Sequence, residues 1–254
     1  DELRSFAGKA SHVANISFSW RPSLIDICFF WGGAIIHTEK ATAPGKGVWT
    51  RQVRPTLKWL KQFMKGCPRT LTRSWAFADV WHQGVKYTLI LDASPWGLDG
   101  LLLRDEVIIS FFSSPLTKND DQQFKKKRGD SVGQQIWETL CIVVALREWL
   151  PMWNGKRASA SIKSDSINAL TAAVKLKCAT SPLLGRELAM NYTKACFQPE
   201  VVERIPGAMN AAADALSRLM DPSGNFEVPA VLQGVHRDRV PHRHEQYYVT
   251  LRPL

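Results

Sequence analysis

The chain has 254 residues, enough for one large domain or two modest ones. Its 45% hydrophobic and 22% charged content is that of an ordinary globular protein, and no run of eighteen apolar residues offers a membrane span. A formal net charge of +10, from 33 basic and 23 acidic residues, favours a polyanionic partner. Five cysteines, an odd number without a C-x-x-C pair, argue against a disulfide framework and against a structural zinc site. The chain opens Asp-Glu-Leu-Arg with no methionine and no signal-like region, so it is expected to be a piece of a longer, intracellular, non-secreted protein.

In chain order, residues 1–80 read as a separate, mostly helical unit. Within it Ile25–Ile36 is a compact apolar cluster, and Ala41–Gly47 is a linker of small residues. Leu57, Leu60 and Met64 then recur at helical spacing beside Lys58, Lys61 and Lys65, which predicts an amphipathic helix with a basic face.

From residue 86 the pattern changes. Tyr87–Leu91, Leu98–Leu103 and Val107–Phe112 are predicted strands, the first apolar on both faces, as in a buried central strand. Thr117–Asp130 reads as a polar segment containing Lys125, Lys126, Lys127 and Arg128. A strongly apolar helix is predicted from Ser131 to Leu150, closed at Pro151. A strand over Ala158–Lys163, helices over Ser166–Leu176 and Leu183–Cys196, a strand over Val201–Ile205 and a helix over Asn210–Met220 follow. Three strands in a meander, then strands alternating with helices, imply an α/β fold: a five-stranded mixed sheet flanked by helices. Residues 221–254, rich in Pro, Arg and His, read as a basic tail or linker.

Four acidic residues occupy unusual contexts. Asp92 ends the first buried strand, where a lone carboxylate is costly unless a turn or a metal compensates it. Glu138 shares a helical face with Cys141, Ile142 and Ala145 on a helix apolar nearly all round. Asp165 follows the fourth strand, where helix capping is the simplest explanation. Asp214 lies among alanines near the start of the last helix, where the helix dipole accounts for an acid. Brought together, such groups suit a hard divalent cation, and paired metals would assist displacement at a phosphodiester.

The segments Leu91-Asp92-Ala93-Ser94-Pro95-Trp96-Gly97, Ser113-Ser114-Pro115-Leu116-Thr117, Trp137-Glu138-Thr139-Leu140, Ser164-Asp165-Ser166 and, most specifically, Ile205-Pro206-Gly207…Asn210-Ala211-Ala212-Ala213-Asp214-Ala215-Leu216-Ser217-Arg218 carry a resemblance. Over roughly 86–220 the chain resembles the ribonuclease H domain of retroelement polyproteins. Residues 1–80 look like the thumb or connection end of the reverse transcriptase polymerase domain that precedes it.

The resemblance implies an endonuclease that cuts the RNA strand of an RNA–DNA hybrid with two Mg²⁺ ions, Mn²⁺ substituting. Asp92, Glu138, Asp165 and Asp214 would be its ligands and catalytic groups, and Ser94, Asn210 and the run Lys125–Arg128 its nucleic-acid contacts. Asp92 and Asp214 would hold one ion and orient the attacking water; Asp92, Glu138 and Asp165 would hold the other. Three departures stand out. Asp99 lies where relatives carry a small residue, Arg204 takes the place of a histidine that assists product release, and the basic helical protrusion of some relatives has no clear counterpart. These departures keep open a degenerate domain that serves as a structural or nucleic-acid-binding module. A DNA-directed nuclease on a related fold is a third reading, against which the Asn210–Arg218 motif counts.

Overall fold

A computed structural model describes residues 85–153, 158–176, 178, 180–195, 201–206 and 210–248, with scattered positions before them. The chain divides into two compact units, Asp1–Ser74 with Leu254, and Trp75–Pro253. In the first, Arg54, Leu57, Lys58, Lys61 and Lys65 are helical, with the three lysines exposed. The other expectations for residues 1–80 lie outside the described residues.

The second unit is built on a six-stranded mixed sheet of order β5-β4-β1-β2-β3-β6. β1 (Val85–Ala93), β2 (Gly97–Arg104) and β3 (Val107–Pro115) form an antiparallel meander. β4 (Ala158–Ser164) and β5 (Val201–Arg204) extend it in parallel beyond β1. β6 (His236–Asp238) runs parallel to β3 at the other edge.

The sheet is thus α/β and mixed as expected, with one strand more than the sequence indicates. β6 arises from the stretch read as a tail. It is three residues long and polar, so no apolar alternation marks it. Its neighbours do mark it: Leu232, Arg243 and Tyr248 are all buried in the same unit. Residues 221–248 are therefore part of the fold rather than a linker.

Helix α1 (Lys118–Phe124) occupies the polar segment, where no helix was expected. Thr117 and Asp120 form a reciprocal capping box, which supplies the start signal that hydrophobic periodicity lacks. Helix α2 (Gln134–Glu148) is buried without interruption from Ile136 to Leu146. It packs on β1 and β2 on one side and on α4 (Ile167–Lys175) and α5 (Pro182–Ala195) on the other, which is why it is apolar all round.

The chain does not stop at Pro151. A short helix α3 (Leu150–Trp153) takes the proline in its first turn, where a missing N–H costs nothing. Helix α6 (Ala211–Ser217) covers the other face of β1 and β2. There Ala213 and Leu216 pack with Leu101, Leu103 and Phe111, and the alanines allow the close approach.

Gly100 marks how tightly the α2 face is packed. A Cβ there would lie 2.6 Å from the Phe112 ring and 2.8 Å from Leu91, so nothing larger than glycine fits between them. Among the described residues no helix is long and apolar enough to cross a membrane.

Candidate metal centre

Asp92 is delivered by β1, whose parallel pairing with β4 aligns Ile90 with Lys163 and so sets the end of β4 beside Asp92. Asp165 follows that end. Its neighbour Ser166, not Asp165, caps α4, accepting from the Ala169 N–H at 3.3 Å. The simplest structural duty for Asp165 is therefore taken by another residue. Glu138 comes from α2 on the opposite face.

Asp92, Glu138 and Asp165 meet there, with one carboxylate oxygen of each lying within 4.8 Å of the others. Asp92 and Glu138 are buried and Asp165 half-buried. Asp214 is not in this trio. Its carboxylate is half-exposed and held by Arg218 one turn on, at 2.9 Å, although its charge still reaches Asp92.

The electrostatics are those of uncompensated negative charge. Burial, with the Asp165 and Asp214 charges adding to it, pushes the Asp92 carboxyl up to about 6, against the pull of the Ser217 hydroxyl and the Ala93 N–H. Burial raises Glu138 well above the ordinary range too, and Asp92 and Asp165 add to the effect. Three hard oxygen donors in a partly desolvated cluster, none ion-paired with a basic side chain among the described residues, are a donor set that fits a divalent cation.

Residues that the sequence did not single out support this centre. Gln134 donates through Nε2 to Glu138 Oε1 at 2.7 Å and also to the Ala93 carbonyl, fixing the carboxylate against the end of β1. The i, i+4 spacing of Gln134 and Glu138 is the signal that would have found it. The buried Cys141 thiol donates to the carbonyls of both Asp92 and Asp99, joining α2 to the backbone beneath the site.

Asp99 faces Asp92 across the β1–β2 ladder and is fully buried. Neither of its oxygens has a hydrogen-bond partner among the described residues. Burial drives its carboxyl well above the usual range; Ser113 and Arg237 pull it down only in part. The departure noted in the sequence is thus an acid sealed in the core beside the centre, its protonated form favoured by burial.

The expected nucleic-acid contacts are placed variously. Ser94 is half-buried and donates to the Ser217 carbonyl at 2.6 Å while accepting from the Gly97 N–H. It ties the β1–β2 turn to α6. Asn210 is buried at the start of α6, its Oδ1 without a partner among the described residues. Lys125 and Lys127 are exposed and Lys126 half-buried. Arg128 is engaged internally, donating to Asp121 at 2.8 Å and to the Leu116 carbonyl. Arg204 donates to the Asp165 carbonyl at 3.3 Å, beside the trio.

No protein-family model and no curated protein matches the chain. Among solved structures, ribonuclease H1 from the halophilic archaeon Halobacterium salinarum NRC-1 is similar at 16% identity and a TM-score of 0.40, over 55% of this chain and 99% of that one. A foamy viral protease–reverse transcriptase dRH in complex with double-stranded DNA is similar at 14% identity and a TM-score of 0.31. That likeness spans 81% of this chain and 34% of the viral one.

Proposed function

We propose that this chain is a metal-dependent nuclease that hydrolyses the RNA strand of RNA–DNA hybrids. The observation that carries the reading is the convergence of Asp92, Glu138 and Asp165 from three separate parts of the chain into one acidic cluster. The motif resemblance over 86–220 supports it and supplies the substrate.

Asp92, Glu138 and Asp165 would hold Mg²⁺, with Asp214 the outer member of the set and a second ion shared between it and Asp92. When bound, the cations supply positive charge at the scissile phosphate and a more acidic water. The chain's own groups do the rest. Gln134 fixes the Glu138 carboxylate, and the Ser217 hydroxyl and the Ala93 N–H favour the charged form of Asp92 against its burial. Attack of a water oxygen on phosphorus breaks the bond to the 3′-oxygen and leaves a 5′-phosphate and a 3′-hydroxyl.

Residues 1–80 would be the end of a reverse transcriptase, and the unit that follows its ribonuclease H, within an intracellular retroelement polyprotein. Discrimination of hybrid from other duplexes would rest on shape and on the RNA 2′-hydroxyls.

A second reading is a domain that keeps the fold as a nucleic-acid-binding module. The pairing of Asp214 with Arg218 and the extra acid at Asp99 favour it.

A labelled RNA–DNA hybrid incubated with and without Mg²⁺, beside matched RNA and DNA duplexes, separates the two. The expected result is Mg²⁺-dependent cutting of the hybrid alone, lost by at least a hundredfold in Asp92→Asn with the circular dichroism spectrum unchanged. Binding without cutting would establish the module instead.

A further inference from the structure

The sixth strand places two arginines on the face of the sheet that carries Asp92. Ladder partners share a face of the sheet, and Asp92, Asp99 and Ser113 form one row across β1, β2 and β3. On β3 the next strand pairs Phe111 with Arg237 and Phe112 with Asp238, so the row continues to Arg239 just past the end of β6.

Arg237 and Arg239, two apart in extended chain, fall on the same face as Asp92. Both are exposed; Arg237 donates to the Ser113 carbonyl at 3.4 Å and its charge reaches the buried Asp99, and among the described residues no carboxylate forms a close ion pair with Arg237 or Arg239. The acid between them is held by other groups. Asp238 is engaged on the opposite face by the Trp149 indole N–H at 2.8 Å, the Ser110 hydroxyl and His236. Arg237, Asp238, Arg239, Val240 and the segment Ser113–Pro115 line a cleft of about 540 Å³, with the Asp238 carboxylate already engaged by Trp149, Ser110 and His236.

We infer that this cleft is a phosphate-binding subsite for the nucleic-acid strand that crosses the carboxylate centre, which rests on the nuclease reading for the position of the scissile phosphate. Three strand spacings put Arg239 about 14 Å from Asp92 along the row, so it meets a phosphate flanking the cleavage point rather than the scissile one. The two backbone positions, about 6.6 Å apart in extended chain, carry guanidinium groups that suit neighbouring phosphates and their bidentate hydrogen bonding.

The strand is held rigidly enough to present them. Beyond Asp238, the buried Arg243 anchors the following segment to Asp120, Ser114 and the Pro115 carbonyl. The cations that confer affinity thus come from the part of the chain that looked like a tail.

The test is anisotropy of a short fluorescein-labelled RNA–DNA hybrid titrated with the full chain in EDTA, over a range of salt. R237A/R239A is expected to weaken binding about tenfold at ~0.1 M salt and to lower the slope of log K against log[salt] by about 1 to 2. R237K/R239K keeps the slope. Arg104→Ala, at the far end of β2, leaves both affinity and slope within about twofold.

A double-alanine variant that folds and binds as the wild type does would overturn the subsite. So would an Arg104→Ala loss as large as that of the pair, which would mean diffuse attraction. Cleavage in Mg²⁺ is read separately. A chain that binds through these arginines without cutting keeps the subsite and ends the nuclease reading; one that cuts with binding indifferent to them does the reverse.

Discussion

Asp92, Asp99 and Glu138 each place a carboxylate where water cannot solvate it, and this has a consequence for stability. Asp92 titrates at about 6 in the folded chain against an ordinary value of 3.8. Between those values the native state holds the proton more tightly than the unfolded one. Stability contributed at low pH is therefore lost as pH rises through that window, by about 3 kcal/mol once it is complete. Asp99 and Glu138, raised for the same reason, act in the same direction. Asp92→Asn removes the charge, so thermal melts in EDTA should show it several degrees more stable than the wild type at pH 8 and nearly equal at pH 4. A variant no more stable than the wild type at pH 8 would mean that Asp92 is better solvated than its burial indicates. Asp92 was legible in the sequence because a buried strand ends on it. Asp165 was ambiguous until the structure gave the cap to Ser166. Asp214 was expected in the cluster, yet it leans on Arg218, a neighbour one turn away that the sequence also contains. Which of two nearby partners a half-exposed side chain takes is not written in spacing.

Among the elements, β1 to β5 and helices α2, α4, α5 and α6 follow from hydrophobic pattern with ends shifted by a residue or a few. Each buries an apolar face on a known layer. Helix α1 and strand β6 do not, because capping and pairing form them rather than burial of a stripe. Their junction is the Arg243–Asp120 pair, where both side chains are almost fully buried. Arg243 donates to Asp120, to the Ser114 hydroxyl at 2.7 Å and to the Pro115 carbonyl at 2.6 Å, while Thr117 and the Tyr248 hydroxyl also donate to Asp120. Removing one partner strands the other in the core. Arg243→Ala should lower the unfolding free energy by about 3–5 kcal/mol in urea titrations, and D120N/R243M by clearly less. Equal losses would show that lost packing, not the orphaned charge, dominates.

For the molecule as a whole, the segment after Met220 decides whether the β3 edge of the sheet is covered over Ser110–Phe112. A chain ending at Met220 keeps every motif of the ribonuclease H resemblance but loses β6, Leu232, Arg243 and Tyr248. It should aggregate or unfold at markedly lower urea than the full chain, because part of the β3 edge is left unpaired and Asp120 loses its Arg243 counter-charge. A shortened chain that stays monomeric and equally stable would return residues 221–254 to the status of a tail. The sequence by itself determined the α/β class, the central helix and the four acids worth examining, since burial patterns and strand ends are local properties. Only the tertiary structure decided that three of those acids meet, that Asp99 is sealed beside them, and that a basic segment without apolar alternation adds the edge strand. Those outcomes depend on pairings between residues far apart in the chain, such as Ser110 with His236 and Arg243 with Asp120, and no local pattern encodes them.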